Sequence, residues 1–285
     1  MTHDDELHDH DRGLSHDLPM LSRRRTLTLF GGAGLAAALA GCGIGSTDES
    51  ETADSPGPSS TSGAGSTGAE SETVPSSTGT EIPEETAGPY PGDGSNGVNV
   101  LTETGIVRSD ITTSFGSASA VAVGVPLTIT LTVLDVSSGS GPLAGAAVYL
   151  WHCDIDGRYS LYSDGITQEN YLRGVQETGS DGSVRFTSIF PAAYSGRWPH
   201  IHFEVYPSLE AATTASGRLR TSQLALPEDA CALVYATDGY EQSVRNMEQT
   251  SLDTDNVFSD GYSLQLATVT GDVDTGMAAT LNVPV

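Results

Sequence analysis

The sequence predicts an all-β domain, an antiparallel β-sandwich with long loops, carried behind a first third that forms no core of its own. Three observations predict it. Apolar residues alternate with period two through the last two thirds of the chain, turn signals punctuate those runs, and no stretch sustains the 3.6-residue repeat of an amphipathic helix. Composition agrees. Of 285 residues 33 are glycine and only 17% are charged, unlike the Lys/Glu-rich make-up of a helical bundle. All 12 basic residues are Arg, set against 37 acidic ones, for a formal net charge of −25. That sign excludes nucleic acid as a partner, because binding it needs a basic face.

In chain order, residues 1–21 are polar and rich in His and Asp. Ser22-Arg23-Arg24-Arg25-Thr26-Leu27 then opens an uncharged run of Leu, Gly and Ala that lasts to Ala40. It is shorter than the ~20 residues a spanning helix needs. Paired Arg ahead of a short apolar run predicts a twin-arginine-type export signal over 1–41. The run closes in Leu39-Ala40-Gly41-Cys42, which looks like a bacterial lipobox. It implies that Cys42 is lipidated, becomes the mature N-terminus and anchors the protein to the outer face of the membrane. Residues 42–87 are expected to be a flexible tether. From Gly43 to Thr86 there are nine acidic residues and no basic one, too polar to repay the entropy of ordering.

The folded domain is expected over 88–285. Leu127, Ile129, Leu131 and Val133 alternate with Thr128, Thr130 and Thr132, which gives a strand one apolar face. Further strands are predicted at residues 147–151, 183–190, 201–206 and 262–269, with Asp156-Gly157, Ser180-Asp181-Gly182 and Asp260-Gly261 as turns. A short helix is predicted at 242–250. Cys153 and Cys231 remain as a pair once Cys42 is assigned to lipid. In an exported domain they are expected to form a disulfide, with two unrelated buried thiols as the alternative.

Chemistry concentrates around His200-Ile201-His202. Alternate strand residues share a face, so both imidazoles can converge on one metal while Ile201 enters the core. By itself the pair also suits ordinary polar strand residues. Tyr194 and Arg197 stand just upstream, and Trp151-His152-Cys153-Asp154-Ile155-Asp156-Gly157-Arg158-Tyr159 ends in a second Tyr.

In this order and spacing, Gly157-Arg158-Tyr159, Asp181-Gly182, Phe186-Thr187-Ser188-Ile189-Phe190-Pro191, Tyr194, Arg197 and His200-Ile201-His202-Phe203 resemble the intradiol ring-cleavage dioxygenases. These are non-haem Fe(III) enzymes that open catechol-type rings between their two hydroxyls. The resemblance runs from about Thr86 to Leu226. It implies an intradiol dioxygenase-like, prealbumin-like sandwich and an Fe(III) cofactor held by Tyr159, Tyr194, His200 and His202. It implies a catechol-type substrate that reacts with O2 to a cis,cis-muconate-type diacid. Tyr194 would leave the metal and accept a substrate proton, Arg197 would stabilise charge on the opening ring, and Gln223 would assist. Thr86-Ala87-Gly88-Pro89-Tyr90 resembles a Gly-Pro-Tyr stretch that borders the family's substrate pocket. One departure is Arg197-Trp198-Pro199, where the family commonly has Arg-Pro-Ala. Another is the missing N-terminal helical dimerisation segment. His152 has no ligand role in the pattern, and Tyr149 and Trp151 are expected to serve the core.

Two rivals stay open from sequence. Pro142-Leu143-Ala144-Gly145-Ala146-Ala147-Val148 also suits a non-catalytic adhesion or carbohydrate-associated sandwich module. A zinc hydrolase built on the His pair lacks a third ligand at a convincing spacing.

Overall fold

The computed structural model describes residues 79–285 apart from Ala215. The predicted export signal, Cys42 and most of the predicted tether lie outside the described residues.

Two sheets face each other. One is built from β1 (Pro126–Asp135), β2 (Gly141–Pro142), β5 (Ser183–Ile189), β8 (Thr268–Asp272) and β9 (Gly276–Pro284). Both β2 and β5 pair antiparallel to β1 on one side, and β9 pairs on its other side, with β8 beyond. The second sheet runs β4 (Arg173–Glu177), β3 (Ala147–Trp151), β6 (His200–Tyr206) and β7 (Arg220–Ala225), all antiparallel. The predicted sandwich is present with one exception to its antiparallel rule. β1 and β9 run parallel, with Ile129 opposite Ala279 and Leu131 opposite Leu281.

Period two decides what enters the core. Leu127, Ile129, Leu131 and Val133 of β1 meet Val148 and Leu150 of β3 and Ile201, Phe203 and Val205 of β6 in one buried cluster. Each such side chain contributes roughly 1.5–3 kcal/mol of hydrophobic stabilisation. Three short helices lie outside the sheets: α1 (Leu209–Thr213), α2 (Glu228–Tyr235) and α3 (Glu241–Met247). α3 overlaps the predicted helix, starting one residue earlier and ending three residues sooner, and α2 packs Cys231, Val234 and Tyr235 into the main cluster.

Three expectations need correction. The strand predicted at 262–269 begins instead at Thr268, because the amides of Gln265 and Leu266 donate back to the Tyr262 carbonyl and form a turn. The tether ends sooner than residue 87. Ile82 is buried in the core and its amide donates to the Pro284 carbonyl, while Glu85 N–H donates to the Thr221 carbonyl. Cys153 and Cys231 are separate buried thiols rather than a disulfide. The Cys153 thiol donates to the Ala192 carbonyl at 3.6 Å, and Cys231 sits on α2 in the inter-sheet core. Burial pushes both thiols well above their ordinary range, which leaves them inert. Thiol titration without reductant should therefore find both unreactive in the folded protein and both reactive after denaturation. A disulfide-linked peptide spanning the two would overturn this.

Candidate metal centre

The site is written into one rung of the second sheet. Arg173 of β4 stands opposite Trp151 of β3, Trp151 opposite His202 of β6, and His202 opposite Gln223 of β7. All four share the face that points away from the partner sheet. Loop segments cover this face and form a second buried cluster with Tyr149, Trp151, Tyr159, Val100 and Leu101. The Trp151 ring stacks flat on the His202 ring at 4.9 Å. Trp151 and Tyr149 thus wall the site rather than fill the inter-sheet core.

One glycine and two hydrogen-bonded loops bring the tyrosines in. Gly157 holds φ +79°, and a Cβ there would stand 2.9 Å from the Tyr194 Cβ, so the turn before Tyr159 needs glycine on both counts. Asp154 Oδ1 accepts from the amides of Asp156 and Arg158, and Arg158 pairs with Asp154 Oδ2 at 2.9 Å. Tyr159 N–H donates to Ser163 Oγ at 2.9 Å. The Tyr194 loop is held by α3, whose Asn246 donates to the Ala193 carbonyl and whose Ser243 Oγ accepts from the Ala193 amide. Gly88 presses its backbone on the last ligand candidate: a Cβ there would lie 3.3 Å from His202 Cε1.

The polar atoms converge. His200 Nε2 lies 3.1 Å from His202 Nε2 and 3.2 Å from Tyr194 Oη. The Tyr159 ring centres 6.0 Å from the Tyr194 ring and 6.2 Å from the His202 ring. His200 Nδ1–H donates to the Trp198 carbonyl at 2.5 Å, which turns the lone pair of Nε2 toward the cluster. Burial first, then the neighbouring Arg197 cation, holds the His200 imidazole neutral, and burial with His200 does the same for His202. Tyr159 Oη is buried without a hydrogen-bond partner, and burial pushes its ionisation well above the ordinary phenol value.

An orphaned phenol beside two neutral imidazoles aimed at each other is a set of donors that fits a cation. Among the described residues no trio of His, Cys, Asp and Glu could hold a metal, so a metal here must draw on phenol oxygen. Two nitrogens and two phenolate oxygens suit a hard trivalent ion such as Fe(III). Its charge would offset the burial that otherwise keeps the phenols protonated.

Beside the donors lies a buried ion pair. Arg197 Nε donates to Asp255 Oδ2 at 2.9 Å, and its Nη2 donates to Gln223 Oε1 at 2.7 Å. Gln223 Nε2 in turn donates to the Thr86 carbonyl at 2.9 Å. Asp255 also accepts from the amides of Trp198, Val257 and Phe258.

Comparison with known proteins bears on this arrangement. Residues 107–229 match the family model described as Dioxygenase. Chlorocatechol 1,2-dioxygenase of Rhodococcus opacus is 40% identical over 53 residues, 19% of this chain. The match spans only 21% of that relative's length. An intradiol ring-cleavage dioxygenase of Tetranychus urticae superposes with a TM-score of 0.56 at 24% identity, covering 72% of this chain and 94% of that one. A second dioxygenase crystal structure gives a TM-score of 0.55 at 23% identity, with 72% and 93% covered. The chain has an intradiol ring-cleavage dioxygenase-like fold, and its residues 107–229 match the dioxygenase family model.

Within this intradiol dioxygenase fold, Tyr159, Tyr194, His200 and His202 form one cluster and Arg197 bonds Gln223 directly beside it. His152 sits elsewhere, its ring nitrogens bonded to the Cys153 carbonyl and Ser188 Oγ. Cys42 lies outside the described residues. Sequence reasoning missed Asp255 and Arg173, and it gave the predicted helix α3 no part in the site. Nothing in the run Ser251-Leu252-Asp253-Thr254-Asp255 marks the second Asp as the buried one. Arg173 reads as an ordinary strand residue until the register places it in the rung of His202.

Proposed function

We propose that this chain is an exported, lipid-anchored, Fe(III)-dependent intradiol dioxygenase that cleaves a catechol-type ring between its two hydroxyls, inserting both atoms of O2 to give a cis,cis-muconate-type diacid. The observation that carries the reading is the convergence of the two His Nε2 atoms and Tyr194 Oη beside the orphaned Tyr159 hydroxyl. Bound Fe(III) would supply a Lewis acid for the substrate hydroxyls and a redox partner that opens the ring to O2.

The chain's own residues account for the rest. His200 and His202 would hold the ion as neutral imidazoles, and Tyr159 would bind it as a phenolate. Tyr194 is half-buried, so it would be the donor with room to move and take a substrate proton at Oη. Arg197 is a fixed cation whose charge acts on His200, His202 and Tyr159. It stabilises negative charge that develops on the ring. Gln223 keeps Arg197 aimed, and the Trp151 ring keeps one wall of the site dry. Export and lipidation rest on the twin-arginine run and the lipobox ending at Cys42.

Iron reconstitution should give a red-brown protein with a tyrosinate charge-transfer band, and oxygen uptake over a panel of catechols should reveal the preferred ring. A colourless protein that takes up no iron would favour the non-catalytic sandwich module. Membrane partitioning that survives Cys42→Ala would sink the lipid anchor.

A further inference from the structure

Arg173 is unusual among the buried residues. It is 1% exposed, and all five of its N–H groups are used. Nε donates to Ser160 Oγ, Nη1 to the Pro91 carbonyl and Tyr149 Oη, and Nη2 to the carbonyls of Tyr90 and Ser160. None of these acceptors is a carboxylate. A buried cation without a counter-ion is costly, and only a planar fork of five donors can satisfy itself on carbonyls and hydroxyls in this way. Arg197, on the other side of the rung, has Asp255 as its counter-ion. Neither the ligand set nor the ion pair requires Arg173.

Its partners explain its place. Residues 86–92 cross the same rung as a strap. At one end the Thr86 carbonyl is held by Gln223, in the middle Gly88 lies against His202, and at the other end the Tyr90 and Pro91 carbonyls are held by Arg173. Tyr149 Oη adds a bond to the Pro91 carbonyl at 2.7 Å, and Gly92 N–H donates to Tyr162 Oη at 2.8 Å. The Tyr90 ring is thereby set 5.1 Å from the Tyr159 ring. Through Ser160, Arg173 also grips the residue next to Tyr159.

We propose that Arg173 is the positioning residue that clamps the 86–92 strap against the Tyr159 loop, fixing Tyr90 as a wall of the substrate site. The effect on substrate rests on the site being a ring-cleaving centre, whereas the clamp itself does not depend on metal. Without Arg173 the strap keeps its Gln223 anchor, but its far end is left with only the Tyr149 and Tyr162 bonds, so the Tyr90 carbonyl is released, Tyr90 loosens from Tyr159 and the ring of the substrate is held less tightly.

The test is hydrogen exchange on the full chain without metal, comparing wild type with Arg173→Met and Arg173→Lys. Peptides covering 86–92 should exchange at least roughly tenfold faster in Arg173→Met, with β1 and β9 peptides unchanged. Arg173→Lys, with three donors for five acceptors, should fall between. In the iron-loaded protein, KM for catechol should rise roughly tenfold while kcat moves less than about threefold, the signature of lost ground-state positioning. Unchanged strap exchange in a folded Arg173→Met overturns the clamp, and a freed strap with unaltered KM overturns its role in the substrate site. If Arg173→Met does not fold, Gly92→Ala decides. A Cβ there would stand 3.0 Å from Arg173 Nη1 and 3.3 Å from Tyr149 Oη at φ +66°, so it disturbs the strap at its Arg173 end. Faster strap exchange then supports the clamp, and wild-type exchange overturns it. Failure of the wild type to take up iron would count against the ring-cleaving reading and leave the exchange result standing.

Discussion

His200→Ala and His202→Ala proteins should lose iron on dialysis, lose the tyrosinate colour and show only background oxygen uptake with any catechol. Each substitution removes one of four donor groups, and the remaining imidazole has no neighbour that can replace it. The two variants should also differ. His200 is tied to the Trp198 carbonyl at 2.5 Å, so its loss frees a backbone acceptor at the entry to β6. His202 is held by stacking on Trp151 at 4.9 Å, so its loss opens a cavity beneath the 86–92 strap. Removing a buried ring is expected to cost roughly 2–5 kcal/mol in the cavity case, read as a lower melting temperature of the metal-free chain. Tyr194→Phe should keep some iron, because both buried imidazoles and the Tyr159 phenol remain, yet lose most turnover, because half-buried Tyr194 carries the Oη that takes a substrate proton. Full turnover in Tyr194→Phe, or iron binding by His202→Ala equal to wild type, would remove this donor set from the reaction.

The donor set could be read from sequence because each member announces itself locally. A strand places residues two apart on one face, so His200 and His202 had to converge. Gly157 and the Asp154 turn fix the approach of Tyr159 within six residues. Groups that act across long separations leave no such mark. Asp255 is one carboxylate in a polar run, and only its burial against Arg197, 58 residues earlier, separates it from Asp253. Arg173 gains its meaning from register with Trp151 and His202, which no single strand encodes. The expected Cys153–Cys231 bridge failed for a related reason: cysteine count and compartment carry no distance. The strand predicted at 262–269 failed because alternation alone does not exclude a turn, and here the Tyr262 carbonyl captures two amides. Parallel pairing of β9 with β1 joins the start and end of the domain, and it is equally silent in local pattern.

Arg197→Ala should leave the iron and its colour in place and slow ring cleavage by roughly 10²–10³-fold, the usual cost of removing one preorganised charge from a dry site. The Arg197 guanidinium bonds Asp255 and Gln223, so colour and rate should separate. The substitution has a second consequence that must be disentangled. It leaves Asp255, 0% exposed, without its cation, and breaking a buried pair in this way costs about 3–5 kcal/mol. Three backbone amides still bond the carboxylate, which keeps the cost toward the lower end. Asp255→Asn alone should retain those amide bonds in part, release Arg197 from its fixed orientation and slow turnover by a smaller factor, roughly 10–100-fold. The double variant Arg197→Ala/Asp255→Asn then decides between the two effects. Its melting temperature should recover relative to Arg197→Ala, because no unpaired charge remains buried. Its rate should stay as low as that of Arg197→Ala, because the charge facing the ring is still missing. Recovery of rate together with stability would mean that Arg197 serves the fold through Asp255 and not the reaction.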